Sequence, residues 1–234
     1  MEVWGIGLGI IGAFGVIPVF VAGITKLGEL LTNSHLSYVW RMNSLGWAII
    51  KPRYDQRMAR IEDVIATQKI RDFFQRKKIR FIDRDDRDPA PDGLNLICIC
   101  GPKANKVSSE LAPQFPLSWE ICVDSAGTPF LLDHKTKANI YAPNGQPVHF
   151  ALLAKVSEKT GNRNFIFCWG LGGTATIGAA QMLFDPVLLT AIRKRKPKQD
   201  FAAIVAVPFT SFDTIGTPML YALRKGPDVY RSVP

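Results

Sequence analysis

A chain of 234 residues has room for one ordinary domain with an appendage. With 47% hydrophobic and 21% charged residues it is neither disordered, collagenous nor a coiled coil, and nineteen glycines and sixteen prolines argue against a long-helix bundle. The net charge of +9 sits in two short segments: residues 51–88, and the run Arg193, Lys194, Arg195, Lys196 and Lys198. Nucleic-acid binding needs basic residues along a groove or face, so no specific nucleic-acid binding is expected.

From Val3 to Thr25 the chain carries no charge. A bilayer core of about 30 Å takes about 20 helical residues, so this run has the length of one crossing. Six glycines and Pro18 would weaken a helix in water but are tolerated in lipid. A signal peptide would begin with basic residues, whereas this chain begins Met1-Glu2. Lys26, Arg41, Lys51, Arg53, Arg57 and Arg60 all follow the run, which places the remainder in the cytosol. We therefore expect a single-pass protein of the cell membrane, anchored by residues 1–26. Residues 27–54, with Tyr38, Trp40 and Trp47, read as an interfacial segment, a second crossing at 37–51 being the other reading.

Residues 55–78 carry helical periodicity through Met58, Ile61, Ile65, Phe73 and Phe74. This helix either docks on a globular part or forms a stalk. Homo-oligomerisation through 3–25 and 55–78 is the partner expectation that follows from the second reading. The acidic-basic run 83–88 reads as an exposed loop closing a basic helical unit, 55–88.

Beyond it, 89–234 reads as a cytosolic α/β domain. LNLICIC (94–100), WEICVD (119–124) and FAAIVAV (201–207) are apolar strands, the first and last of the doubly buried kind. TPFLLD with KANIYA, and HFALLAKV with NFIFCWG, flank turn residues and predict two antiparallel hairpins. VSSELA, GLGGTATIGAAQML, PVLLTAIRKR and TPMLYALRK read as helices. The fold class is a Rossmann-like α/β sandwich with antiparallel hairpin insertions, preceded by the membrane helix.

The four cysteines, Cys98, Cys100, Cys122 and Cys168, lie in apolar runs without metal-ligand spacing, and read as reduced and buried. Neither a metal nor a cofactor is expected. Two loops each follow a buried strand and open a helix, where ligands collect in open α/β sheets. Gly101, Lys103 and Asn105 belong to the first; Gly170, Gly172, Gly173, Thr174 and Thr176 belong to the second. Their glycines admit close backbone approach, and the N–H groups of the following helix attract phosphate. Gly170, Gly172 and Ala175 match G-x-G-x-x-A, but the strand FAAIVAV ends in Pro208-Phe209 without the acid a dinucleotide site requires.

LICICGPKANK followed by FIFCWGLGGTATIGAA resembles the SLOG-type Rossmann-like nucleotide-ligand domains. These occur in lysine-decarboxylase-like proteins and in sensors or effectors of prokaryotic conflict systems. The lysine-decarboxylase-like motif is Pro-Gly-Gly-x-Gly-Thr-x-x-Glu. Here Gly172-Gly173-Thr174 matches its core, and Ala179-Ala180 stand where its acid would be, so the resemblance implies phosphate binding rather than the family's hydrolytic reaction.

The expectation is therefore a membrane-anchored cytosolic domain that binds a nucleotide or nucleotide-derived ligand as sensor or effector. Two alternatives stand beside it: a membrane-tethered interaction module whose loops are architecture, and a nucleoside- or NAD-directed hydrolase. For the last, Glu120 and Asp124 are the candidate catalytic acids, four apart on one face of a regular strand. No reaction is fixed by the sequence.

Overall fold

The computed structural model describes residues 46–53, 60–142, 146–160, 163–193, 200–211 and 214–231. The expected span at 3–25, the first part of the interfacial segment and the basic run beyond Arg193 lie outside these residues. Among the described residues no single helix is long and apolar enough to cross a membrane.

In chain order the elements are β1 (Trp47–Lys51), α1 (Ile61–Arg76), β2 (Phe81–Asp85), β3 (Asn95–Ile99), α2 (Lys106–Leu111), β4 (Trp119–Val123), β5 (Pro129–Asp133) and β6 (Asn139–Ile140). There follow β7 (Val148–Ser157), β8 (Asn164–Gly170), α3 (Gly173–Met182), α4 (Pro186–Arg193), β9 (Phe201–Pro208) and β10 (Met219–Lys225). Seven strands form one mixed sheet in the order β10-β9-β7-β8-β3-β1-β2, and β4-β5-β6 form a separate antiparallel sheet. Strands β2, β1, β3 and β8 run parallel. With helices flanking them, they make a Rossmann-like α/β arrangement.

The central strands are apolar on both faces because both faces are covered. Trp47, Ile49, Ile97, Ile99, Ile166 and Cys168 pack under α1, α3 and α4. Their neighbours Ala48, Ile50, Leu96, Cys98, Phe165 and Phe167 pack under α2 and the small sheet, against Val107, Phe115, Leu117 and Leu131. Alternate side chains thus feed two separate cores. Helix α3 is rich in small residues for a packing reason. A Cβ on Gly178 would collide with Val207 of β9, so only glycine lets the helix lie this close to the sheet.

Both expected hairpins form, β5 with β6 and β7 with β8. Three readings are corrected. Trp47–Lys51, read as the end of an interfacial segment, is a strand paired on both sides, by β2 and β3, and its first four residues are buried. Aspartates 83 and 85, read as loop, lie in the edge strand β2, whose side chains alternate between more and less exposed positions. The segment read as a terminal helix is the strand β10, antiparallel to β9, and is itself mostly half-buried. Pairing along β9 decides the last case, because a short apolar run carries no period strong enough to oppose it. Helix α1 docks on the sheet, burying Ala66, Ile70, Phe73 and Phe74.

Candidate functional site

Strands β3 and β8 are neighbours and parallel, yet the chain leaves them toward opposite faces. From β3 it passes to α2, whose Val107 joins the core shared with the small sheet. From β8 it passes to α3, whose Ala175 and Ile177 join the other core. Diverging connections open a crevice at the carboxyl ends of the two strands, the position where open α/β sheets take ligands. A cavity of about 690 Å³ occupies it.

The two loops singled out in the sequence meet there. Gly101, Lys103, Gly170, Gly172, Gly173 and Thr176 all line the cavity. Two of the predicted residues do not. Asn105 is 1% exposed and caps α2: its Oδ1 accepts from Ser108 N at 3.0 Å, and its Nδ2 donates to the carbonyls of Ile99 (2.8 Å) and Ile50 (3.2 Å). Thr174 is buried behind the loop, its hydroxyl 2.7 Å from His149 Nδ1. Burial holds the His149 imidazole below its ordinary pKa, and its ring stacks on Phe209.

The three loop glycines have different reasons. A Cβ on Gly170 would run into the carbonyl oxygen of Gly172 and the amide of Thr176, so this glycine is dictated by backbone crowding. Gly172 faces only the His149 ring, at an ordinary 3.4 Å. At Gly173 a Cβ would sit 2.6–2.7 Å from the carboxyl end of Glu62, on the first turn of α1. The missing side chain therefore lets an acid of this chain reach the N-terminus of α3, a position that favours negative charge. The sequence reading assigned that position to a ligand phosphate.

The two candidate acids part company. Glu120 lines the cavity, where its Oε2 lies 2.8 Å from His134 Nε2 and also accepts from Arg231. Asp124 is turned into a tight turn, accepting from Ala126 N and Thr128 N at 2.9 and 2.8 Å. Both its contacts lie within the turn, so Asp124 does not pair with Glu120 as the strand periodicity suggested.

The sequence reading missed Arg60, Asp63, Cys100, Trp119, Trp169 and Arg231, which all line the cavity. Asp63 is 4% exposed and sits on the buried face of α1. The Cys100 thiol donates to its Oδ1 at 2.8 Å. Burial raises the Asp63 carboxyl above its ordinary pKa, an effect opposed by that hydrogen bond. Burial, and then the negative charge of Asp63, push the thiol up, so Cys100 stays protonated. One signal for Asp63 was legible. It shares the helical spacing of Ala66, Thr67, Ile70 and Phe74, an acid at a core position of an amphipathic pattern.

Cys100 has a left-handed backbone, φ +71°, uncommon outside glycine and held by two hydrogen bonds. Its N–H donates to Cys168 O at 3.1 Å, and its carbonyl accepts from the Ser108 hydroxyl at 3.0 Å. This kink turns the end of β3 into the Gly101 loop. In the same lining, Trp119 and Trp169 are each 4% exposed, and their indole N–H groups have no acceptor among the described residues. Arg231 donates to the Leu117 carbonyl at 2.9 Å and to Glu120 of β4, which places this cation beside the small sheet, and Lys103 reaches the same cavity from the Gly101 loop.

No protein-family model, curated protein or solved structure matches this chain.

Proposed function

We propose that this domain binds a nucleotide or nucleotide-derived ligand in the cavity at the ends of β3 and β8, as the sensor or effector part of a protein tethered to the cytosolic face of the cell membrane by residues 3–25. One observation carries the reading. Two glycine loops from adjacent parallel strands converge on a single cavity of about 690 Å³ at a topological switch point, with cations and tryptophans in its lining. The aromatic and apolar wall offers a surface for a base; Lys103 and Arg231 offer charge for phosphate.

Thermal unfolding with a panel of nucleotides tests the binding. A ligand at 100 times its Kd adds about 2.7 kcal/mol to the folded state. A melting temperature unmoved by every nucleotide would favour the interaction module instead. The tether is tested separately: full-length protein should pellet with membranes and resist carbonate extraction, and recovery in the soluble fraction without detergent would remove the anchor.

A further inference from the structure

The large sheet has two ends, and the cavity occupies the one beyond the last residues of β3 and β8. The opposite end, where β2, β1, β3, β8 and β9 begin and β7 and β10 finish, can be followed contact by contact. Trp47 N donates to Arg80 O at 3.2 Å, joining β1 to the segment before β2, and Asn95 N of β3 donates to Gly46 O at 3.1 Å. At the start of β8, Asn164 N donates to Asn95 Oδ1 at 2.8 Å and Arg163 Nε to Leu94 O at 3.0 Å. Asn164 pairs with Ser157 of β7, while Phe201 of β9 pairs with Lys155 of β7 and Lys225 of β10. Lys225 Nζ in turn donates to the Ala191 and Ile192 carbonyls, which brings the close of α4 to the same end.

The connections made at that end are basic. Arg76, Lys77, Lys78 and Arg80 lead from α1 into β2 without an acid among them, and Lys159 and Arg163 belong to the β7–β8 turn. Arg76, Lys78, Arg80 and Lys159 are exposed. The acids of these connections are Asp92, Glu158 and Asp200, and Asp200 is engaged by the Tyr230 hydroxyl and Lys155. At the cavity end, by contrast, β2 runs out into Asp85, Asp86, Arg87 and Asp88. The chain arriving from the expected span, through residues 27–45, enters the fold at Gly46, beside Arg80 and Asn95. We infer that this basic end docks on the anionic lipid headgroups of the membrane that holds residues 3–25, leaving the cavity open to the cytosol. The inference rests on the tether proposed above, not on the nucleotide. Two independent features, the entry point of the chain and the sign of the charge, select the same end. Anionic lipids attract basic groups held near the bilayer, and the attraction fades within a Debye length, so it acts on this end and not on the cavity end.

The test reconstitutes the full chain into nanodiscs of phosphatidylcholine, with or without phosphatidylglycerol, whose headgroup carries charge but no amine. Lysines are then acylated with a water-soluble amine reagent and the rates read by mass spectrometry. Acylation of Lys77, Lys78 and Lys159 should slow about fivefold or more in the anionic discs, and about 0.5 M salt should reverse the effect. Lys103 and Lys106, exposed at the cavity end, should react alike in both discs. Arg76→Glu combined with Arg80→Glu reverses charge at two exposed positions without touching the lysines that report. In this variant the protection of Lys78 and Lys159 should disappear, with the melting temperature in phosphatidylcholine discs unchanged.

A chain that enters both discs but shows equal rates in them would overturn the docking and leave the tether standing. Full protection surviving in the folded double variant would overturn it too. Protection of the same lysines by a single-stranded oligonucleotide, with none from phosphatidylglycerol, would assign this end to nucleic acid and overturn the proposal. A chain that enters neither disc would overturn the tether. The basic end would then be read by sedimentation of the chain with phosphatidylglycerol or phosphatidylcholine vesicles: a preference for the anionic vesicles would support the docking, and equal sedimentation would overturn it as well.

Discussion

The Cys100 thiol and the Asp63 carboxyl lie 2.8 Å apart, joining the kinked end of β3 to the first turn of α1 across 37 residues of sequence. The pair fixes one wall of the cavity, and its cost is measurable. The folded-state pKa of Asp63 is raised above its ordinary value of 3.8, so the native state holds the proton more tightly than the unfolded chain does. Stability then falls as pH rises from 3.8 through the raised value. Asp63→Asn keeps an acceptor for the thiol and removes the charge. Its melting temperature should exceed that of the wild type at neutral pH, and the difference should close as the pH drops below the ordinary carboxylate range. Calorimetry across that range checks it; a variant less stable than wild type at neutral pH would contradict it.

The loop glycines separate by mechanism. Gly170→Ala drives a methyl into backbone atoms that cannot move without unwinding the start of α3, and should cost about 3 kcal/mol. Gly173→Ala meets only the end of the Glu62 side chain, which can swing away. Its loss should be small and should shrink further in a Glu62→Ala background. Urea unfolding of the three variants and the double variant decides between crowding and ligand access as the reason for each glycine.

Asn105 ties α2, β1 and β3 together through one side chain. Asn105→Ala removes the helix cap and leaves the Ile50 and Ile99 carbonyls short of a buried donor. The expected loss is about 2–4 kcal/mol. Asn105→Asp preserves the cap but not the two donated bonds, so most of that loss should remain.

Asp133 and Arg224 anchor the small sheet to β10 at 2.7 Å. Burial alone would raise the Asp133 carboxyl, but the guanidinium of Arg224 and the N–H groups of Lys135 and Thr136 outweigh it and hold the pKa well below the usual range. This contribution is fully present above 3.8 and is lost as pH falls through the depressed value. Asp133→Asn should therefore destabilise by about 2 kcal/mol at neutral pH, with the deficit narrowing in strong acid. A deficit independent of pH would mean that packing, not charge, is what the substitution removes.

The local pattern of the chain determined much of the architecture. Short apolar runs within Asn95–Ile99 and Phe201–Pro208, bounded by turn residues, read as strands covered on both faces, and glycine-bearing segments after Ile99 and Trp169 marked turns into helices. Those are properties of a few consecutive residues, and sequence carries them directly. Where the period was short or mixed, as in Met219–Lys225, the partner strand decided, and a strand stands where a helix was expected.

The site was legible only in half. Both loops were visible because glycine and lysine after a buried strand have a local meaning. That they face the same cavity follows from β3 and β8 being neighbours whose exits diverge, and no spacing in the chain encodes that adjacency. Asp63, Trp119 and Arg231 reach the cavity from α1, from the small sheet and from the segment after β10, each far away in sequence. The Glu62 carboxyl over Gly173 was invisible for the same reason: a glycine shows that something comes close, and only the packing of α1 on α3 determines what.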